Sequence, residues 1–158
     1  KRLQMSQLEK YKELHQKGQF DAAIEGYQSL LVNDKNNDDI HFALAMALAN
    51  KDRLAESLTH ANAALGLAPH SERYLQFKGQ VLMGLGQLDT AAKAFQQSLV
   101  ENPNLFFSYL ALGDIYTIKE QPEKAKAHYE KIIYNYQDSY FFPLARRNFR
   151  MLRGDSIN

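Results

Sequence analysis

The sequence has no cysteine, and only 4 prolines and 8 glycines punctuate its 158 residues. Without cysteine there is no disulfide, no thiol nucleophile and no thiolate metal site, and the compartment stays open, since the cytosol and a bacterial periplasm suit such a chain equally. Valine is scarce too, whereas Ala, Leu, Lys, Glu and Gln, all strong helix formers, abound. No apolar run approaches the ~20 residues that a membrane-spanning helix needs. Net charge is nearly absent, at +1, so the whole molecule exerts no long-range steering toward nucleic acid, which is not expected as a partner. The chain opens Lys1-Arg2-Leu3 with neither an initiator Met nor a signal peptide, as a processed form or an excised domain would. What remains is a 45% hydrophobic, 23% charged composition, that of an ordered, all-helical chain long enough for one continuous core.

Compared with itself, the sequence matches at a period of ~34 residues. A small residue recurs as Ala23, Ser57, Ala91 and Ala125, and an aliphatic one follows as Leu31, Leu65, Leu99 and Ile133. A third series runs Leu14, Leu48, Leu82 and Tyr116. Small side chains let two helix backbones approach closely, and the bulky ones fill the flanking grooves. Each helical hairpin then keeps an apolar face that only the next hairpin can cover, so the units stack.

These registers resemble the tetratricopeptide repeat family along nearly the whole chain. The third copy carries Leu75, Gly79, Leu82, Gly86-Gln87-Leu88, Ala91, Phe95, Ser98 and Pro103; the fourth carries Tyr109, Leu112-Gly113, Tyr116, Ala125, Tyr129 and Ile132. The second has Leu44-Ala45, Leu48, Leu54, Ala61, Ala64 and Pro69. The first departs most, with Lys10 and Tyr11 where the family prefers Leu-Gly, yet Gly18-Gln19-Phe20, Ala23 and Tyr27 restore the register. The units fall at residues 4–37, 38–71, 72–105 and 106–139 within a single domain. A further helix over about 140–153, with Ser139 as its cap, follows as a capping helix or half of a fifth repeat. Its aromatics Tyr140, Phe141 and Phe142 are expected to pack on Tyr129, Ile132, Ile133 and Tyr136.

The resemblance implies a right-handed superhelical solenoid whose concave groove, lined by the first helix of each unit, holds a partner peptide or helix. Carried over position by position, the groove candidates are Leu8, Lys12, His15, Phe42, Met46, Arg73, Gln76, Gln80, Met83, Phe107, Leu110, Asp114 and Ile118. Their mixture of Met, Phe and aliphatic groups predicts a protein or peptide partner with apolar anchors, Phe42 and Leu110 foremost. One subclass of the family clamps the acidic tails of chaperones, but Leu8, Ala43 and Phe77 stand where that clamp has basic or amide side chains, so a chaperone tail is not expected.

No catalytic site or cofactor is expected. There is no glycine-rich phosphate loop and no Gly-flanked serine. His15, His41, His60, His70 and His128 lie at no metal-ligand spacing, and Asp89, Asp114 and Glu123 read as solvated helix-surface or turn carboxylates. Arg146, Arg147, Arg150 and Arg153 form a candidate basic surface for an acidic partner or lipid headgroups, or simply the solvated side of a terminal helix. The leading function is therefore an interaction scaffold. The alternatives are a substrate-recruiting module of an enzyme or of a bacterial envelope export protein, and an array whose exposed ends self-associate.

Overall fold

The computed structural model describes residues 5–135 and 139–154, and among these it contains helices and no strand. Eight helices pair into four successive hairpins: α1 (Gln7–Gln16) with α2 (Phe20–Asn33), α3 (Asp38–Asn50) with α4 (Leu54–Leu67), α5 (Glu72–Gly84) with α6 (Leu88–Glu101), and α7 (Phe106–Ile118) with α8 (Pro122–Asn135). The ninth, α9 (Phe142–Leu152), packs on α8. Both ends of every second helix, and the end of every first helix, recur at the ~34-residue spacing. The end of α9 at Leu152 falls one period beyond that of α7 at Ile118.

The caps explain where the first helices begin. Ser6 Oγ accepts from the Glu9 amide at 3.2 Å while Glu9 Oε2 accepts from the Ser6 amide at 3.2 Å, a reciprocal box that nucleates α1. Asn37 Oδ1 accepts from the Ile40 amide and Ser71 Oγ from the Tyr74 amide, doing the same for α3 and α5. Ser139, expected to cap the last helix, does not: Phe141 occupies the cap position with no side-chain bond, and the Ser139 hydroxyl is buried without a partner among the described residues.

All four hairpin turns close identically. Gln19, Arg53, Gln87 and Gln121 donate their amides to the carbonyls of Leu14, Leu48, Leu82 and Tyr116. One residue earlier the chain turns left-handed, at Gly18, Asp52, Gly86 and Glu120. This is the Schellman closure, which satisfies the last carbonyls of a helix and favours glycine at the left-handed position. Gly154 adopts the same conformation after α9.

The predicted small-residue series is fully buried, and where it is serine the hydroxyl is satisfied: Ser57 Oγ donates to the Ala45 carbonyl at 2.7 Å. In three of the four hairpins a ring lies over a glycine where the two helices approach. The rings of Phe95 and Tyr129 cover Gly79 and Gly113, where a Cβ would collide with them. In the first hairpin the pair is exchanged: Tyr11 supplies the ring from α1, and Gly26 on α2 makes room for it. His41 and His60, far apart in sequence, stack at 5.3 Å between α3 and α4, and burial together with the charge of His41 lowers the His60 pKa.

Successive first helices touch one another (α1 with α3, α5 with α7, α7 with α9), whereas second helices make no contact of that extent with each other among the described residues. The stack is tighter on the first-helix side and therefore curves with those helices inside. That concave side is where the groove lies.

Candidate functional site

Along the inner face, one position per first helix points into the groove in strict period: Lys12, Met46, Gln80 and Asp114, with Asn148 of α9 next in the series. Among the described residues, members of the column line two pockets of different chemistry.

The N-terminal pocket, about 420 Å³, mixes charged and apolar groups and brings together the candidates Lys12, His15, Met46 and Arg73 with Asp39, Asn50 and Tyr27. Lys12 Nζ donates to both oxygens of Asp39, at 3.0 and 2.9 Å, joining α1 to α3. His15 Nε2 and Asn50 Oδ1 lie 2.7 Å apart. The Arg73 guanidinium sits 4.7 Å above the Phe42 ring, a cation–π contact. Tyr27 reaches this pocket from α2. Its hydroxyl is buried with no partner among the described residues, and burial followed by the Asp39 charge pushes its pKa up to about 12. At the column position of its own hairpin stands Lys12, whose ammonium is turned to Asp39.

The C-terminal pocket, about 550 Å³, is largely apolar and gathers Met83, Asp114 and Ile118 with Thr117, Tyr129, Asn148, Met151 and Leu152. Here the matching tyrosine finds an acceptor. Tyr129 donates to Asp114 Oδ1 at 2.5 Å, and Asn148 Nδ2 donates to the same oxygen at 3.0 Å, so one carboxylate ties α7, α8 and α9 together. Burial raises the Asp114 pKa, against the opposing pull of those two bonds and of the Arg147 charge. Burial, then the bond to Asp114, raises that of Tyr129. Asp114 is thus no ordinary solvated helix carboxylate. Ile118 and Met151 remain 61% and 53% exposed at the rim.

The other candidates separate into groove and core. Gln80 is exposed on the inner face, while Gln76 is half-buried and donates to Ser108 Oγ at 3.2 Å, next to the buried Ser98. Phe42 and Leu110, expected as contact anchors, are only 2% and 6% exposed. Phe42 lies beneath Tyr74 and Phe77, at ring separations of 4.6 and 5.2 Å, and Leu110 belongs to the C-terminal core. Both are internal packing groups, and over Phe42 it is the next first helix that closes. Leu8 and Phe107 are half-buried against the core. Arg146, Arg147 and Arg153 are exposed on α9 and Arg150 is half-buried; Arg147 Nε donates to Asn148 Oδ1 at 3.4 Å, and the Arg153 guanidinium lies 5.8 Å over Phe149. Phe141 and Phe142 pack on the core, but Tyr140 is 85% exposed rather than packed; Tyr136 lies outside the described residues.

Sequence reasoning missed Tyr27 and Tyr129 as groove residues, since second-helix positions are not where a groove is sought. A signal was available for Tyr129 alone, whose ring lies over Gly113 of the facing helix, whereas Tyr27 meets the ring of Tyr11.

Family models for the tetratricopeptide repeat match residues 12–52, 72–104 and 108–139. The chain belongs to the tetratricopeptide repeat family. Among solved structures, MamA is 21% identical with a TM-score of 0.86, the alignment covering 96% of this chain and 85% of MamA. PilF of Pseudomonas aeruginosa is 18% identical with a TM-score of 0.79, over 92% of this chain and 65% of PilF. The second tetratricopeptide domain of human RPAP3, solved in complex with an HSP70 peptide, is 22% identical with a TM-score of 0.66, over 70% of this chain and 92% of that domain. No curated protein sequence matches the chain. At these identities the likeness is one of fold, an all-α repeat solenoid.

Proposed function

We propose that the chain is a protein-interaction scaffold, one domain with units at 4–37, 38–71, 72–105 and 106–139, that holds a partner segment along its concave groove. The observation that carries this reading is the pair of open pockets on the first-helix face, one of them rimmed by the exposed apolar groups Ile118 and Met151. Exposed apolar surface gathered around a concavity marks a binding site, whereas single exposed apolar groups do not. Family membership supports the same reading, and so does the peptide held by the RPAP3 domain. The anchors engage Met83, Ile118 and Met151 rather than Phe42 and Leu110. An acidic chaperone tail is not the proposed ligand, because Leu8, Ala43 and Phe77 offer it no polar grip.

The test is site-specific photo-crosslinking in the protein's own host, with the photoreactive residue placed at Gln80 or Ile118 inside the groove, or at the exposed Val100 on α6. Partner adducts are expected from the two groove positions and not from Val100. Adducts confined to Val100 would overturn the groove reading, and adducts of the chain with itself would turn it into self-association.

A further inference from the structure

The C-terminal pocket holds a single charge in an otherwise apolar wall. Among the described residues that line it, Asp114 alone is ionic, while Met83, Ile118, Met151 and Leu152 supply hydrocarbon and Tyr129, Thr117 and Asn148 are neutral. Two donors, Tyr129 and Asn148, fix Oδ1. No donor among the described residues engages Oδ2. A carboxylate whose position is set on one side and whose second oxygen has no partner among the described residues is a preorganised acceptor, and its partial burial favours pairing with a cation. The surrounding wall suits not a bare ion but a cation on a long aliphatic stem, which packs its methylenes on apolar surface and carries its charge at the tip.

Resting on the concave-groove reading, we infer that this pocket takes a lysine or arginine side chain of the partner segment, its stem against Met83, Ile118 and Met151 and its head on Asp114 Oδ2. The pocket's volume of about 550 Å³ exceeds what one such side chain fills, leaving room for an apolar neighbour on the same segment. The partner is thus a segment in which a basic residue adjoins apolar ones, the opposite in charge to an acidic tail. Arg147, which donates to Asn148 Oδ1 and whose charge acts on Asp114, is a competing cation expected to weaken the site.

The experiment is methyl NMR on the full chain with labelled Met and Ile, titrated with N-acetyl-lysine amide, N-acetyl-arginine amide and the neutral N-acetyl-norleucine amide. The basic probes should shift the Met83, Ile118 and Met151 methyls saturably, and bind about tenfold or more tightly than the norleucine probe, as one charge-assisted bond would give. Asp114→Asn, which keeps an Oδ1 acceptor for Tyr129 and Asn148, should abolish that preference with its thermal unfolding little changed. Arg147→Gln should strengthen the basic probes. Equal binding of the norleucine probe, a lysine preference surviving in Asp114→Asn, or no shift with any probe would each overturn the inference. Groove crosslinks from Gln80 would in that case still uphold the wider reading, so the two fail separately.

Discussion

Two residues sit in a backbone conformation that their side chains resist. The closing position of each hairpin turn is left-handed, and glycine occupies it at Gly18 and Gly86, but Asp52 and Glu120 occupy it at φ of 58° and 57°. A Cβ in this region is crowded by the following carbonyl, and aspartate tolerates it better than glutamate because its short side chain can bond locally. Glu120→Gly is therefore expected to stabilise the fold by about 0.5–1 kcal/mol, after allowance for the greater freedom of glycine in the unfolded chain. Asp52→Gly should gain less. Urea unfolding followed by circular dichroism checks both, and a loss of stability in Glu120→Gly would show that the glutamate side chain makes up for its backbone. The same scale explains one departure from the family pattern. Tyr11, in place of glycine, looked like divergence in the first repeat. It is half of an exchange whose other half, Gly26, lies on the facing helix and could have been read in the sequence.

At the scale of elements, the helices were legible because their signals are local: small residues at contact positions and glycine at turns. The period then fixed which helices pair. Burial along the groove was less legible, since the same register position faces solvent or core according to how far the next first helix leans over it. Phe42 shows this. Its position belongs to the groove face, yet Tyr74, Phe77 and Arg73 from the following helix cover it. Phe42→Ala should accordingly cost about 3–5 kcal/mol of stability and Leu110→Ala about 2–5 kcal/mol, values usual for emptying a packed site. Near-native denaturation midpoints in both variants would return these residues to the groove. The terminal helix combines two signals. It ends at the same register point as a first helix and is followed by the same left-handed turn, but Arg147 and Arg150 stand where the preceding units place Gly113 and Tyr116 against their own second helix. A helix laid on that side would have to bury arginines, which supports a capping role.

For the molecule as a whole, curvature follows from first helices contacting one another more closely than second helices do among the described residues, and the groove is the inside of that curve. Among the described residues, most of the buried groups fall into three clusters strung along the stack instead of one centre, as a solenoid whose units contact only their neighbours requires. Such an arrangement localises the influence of most side chains. Asp114 is the exception, because its one oxygen is shared by α8 through Tyr129 and by α9 through Asn148. Any ligand that engages this carboxylate must also change how firmly the last helix is held, and linkage makes the effect mutual: whatever affinity the ligand owes to α9, it returns as protection of α9. Hydrogen exchange with N-acetyl-lysine amide present should accordingly slow the amides of Phe142–Leu152 more than those of α1 to α4, and Asp114→Asn should erase the difference. Slowing spread evenly along the chain would break that coupling. α9 would then serve as a latch, its grip reporting whether the groove is occupied.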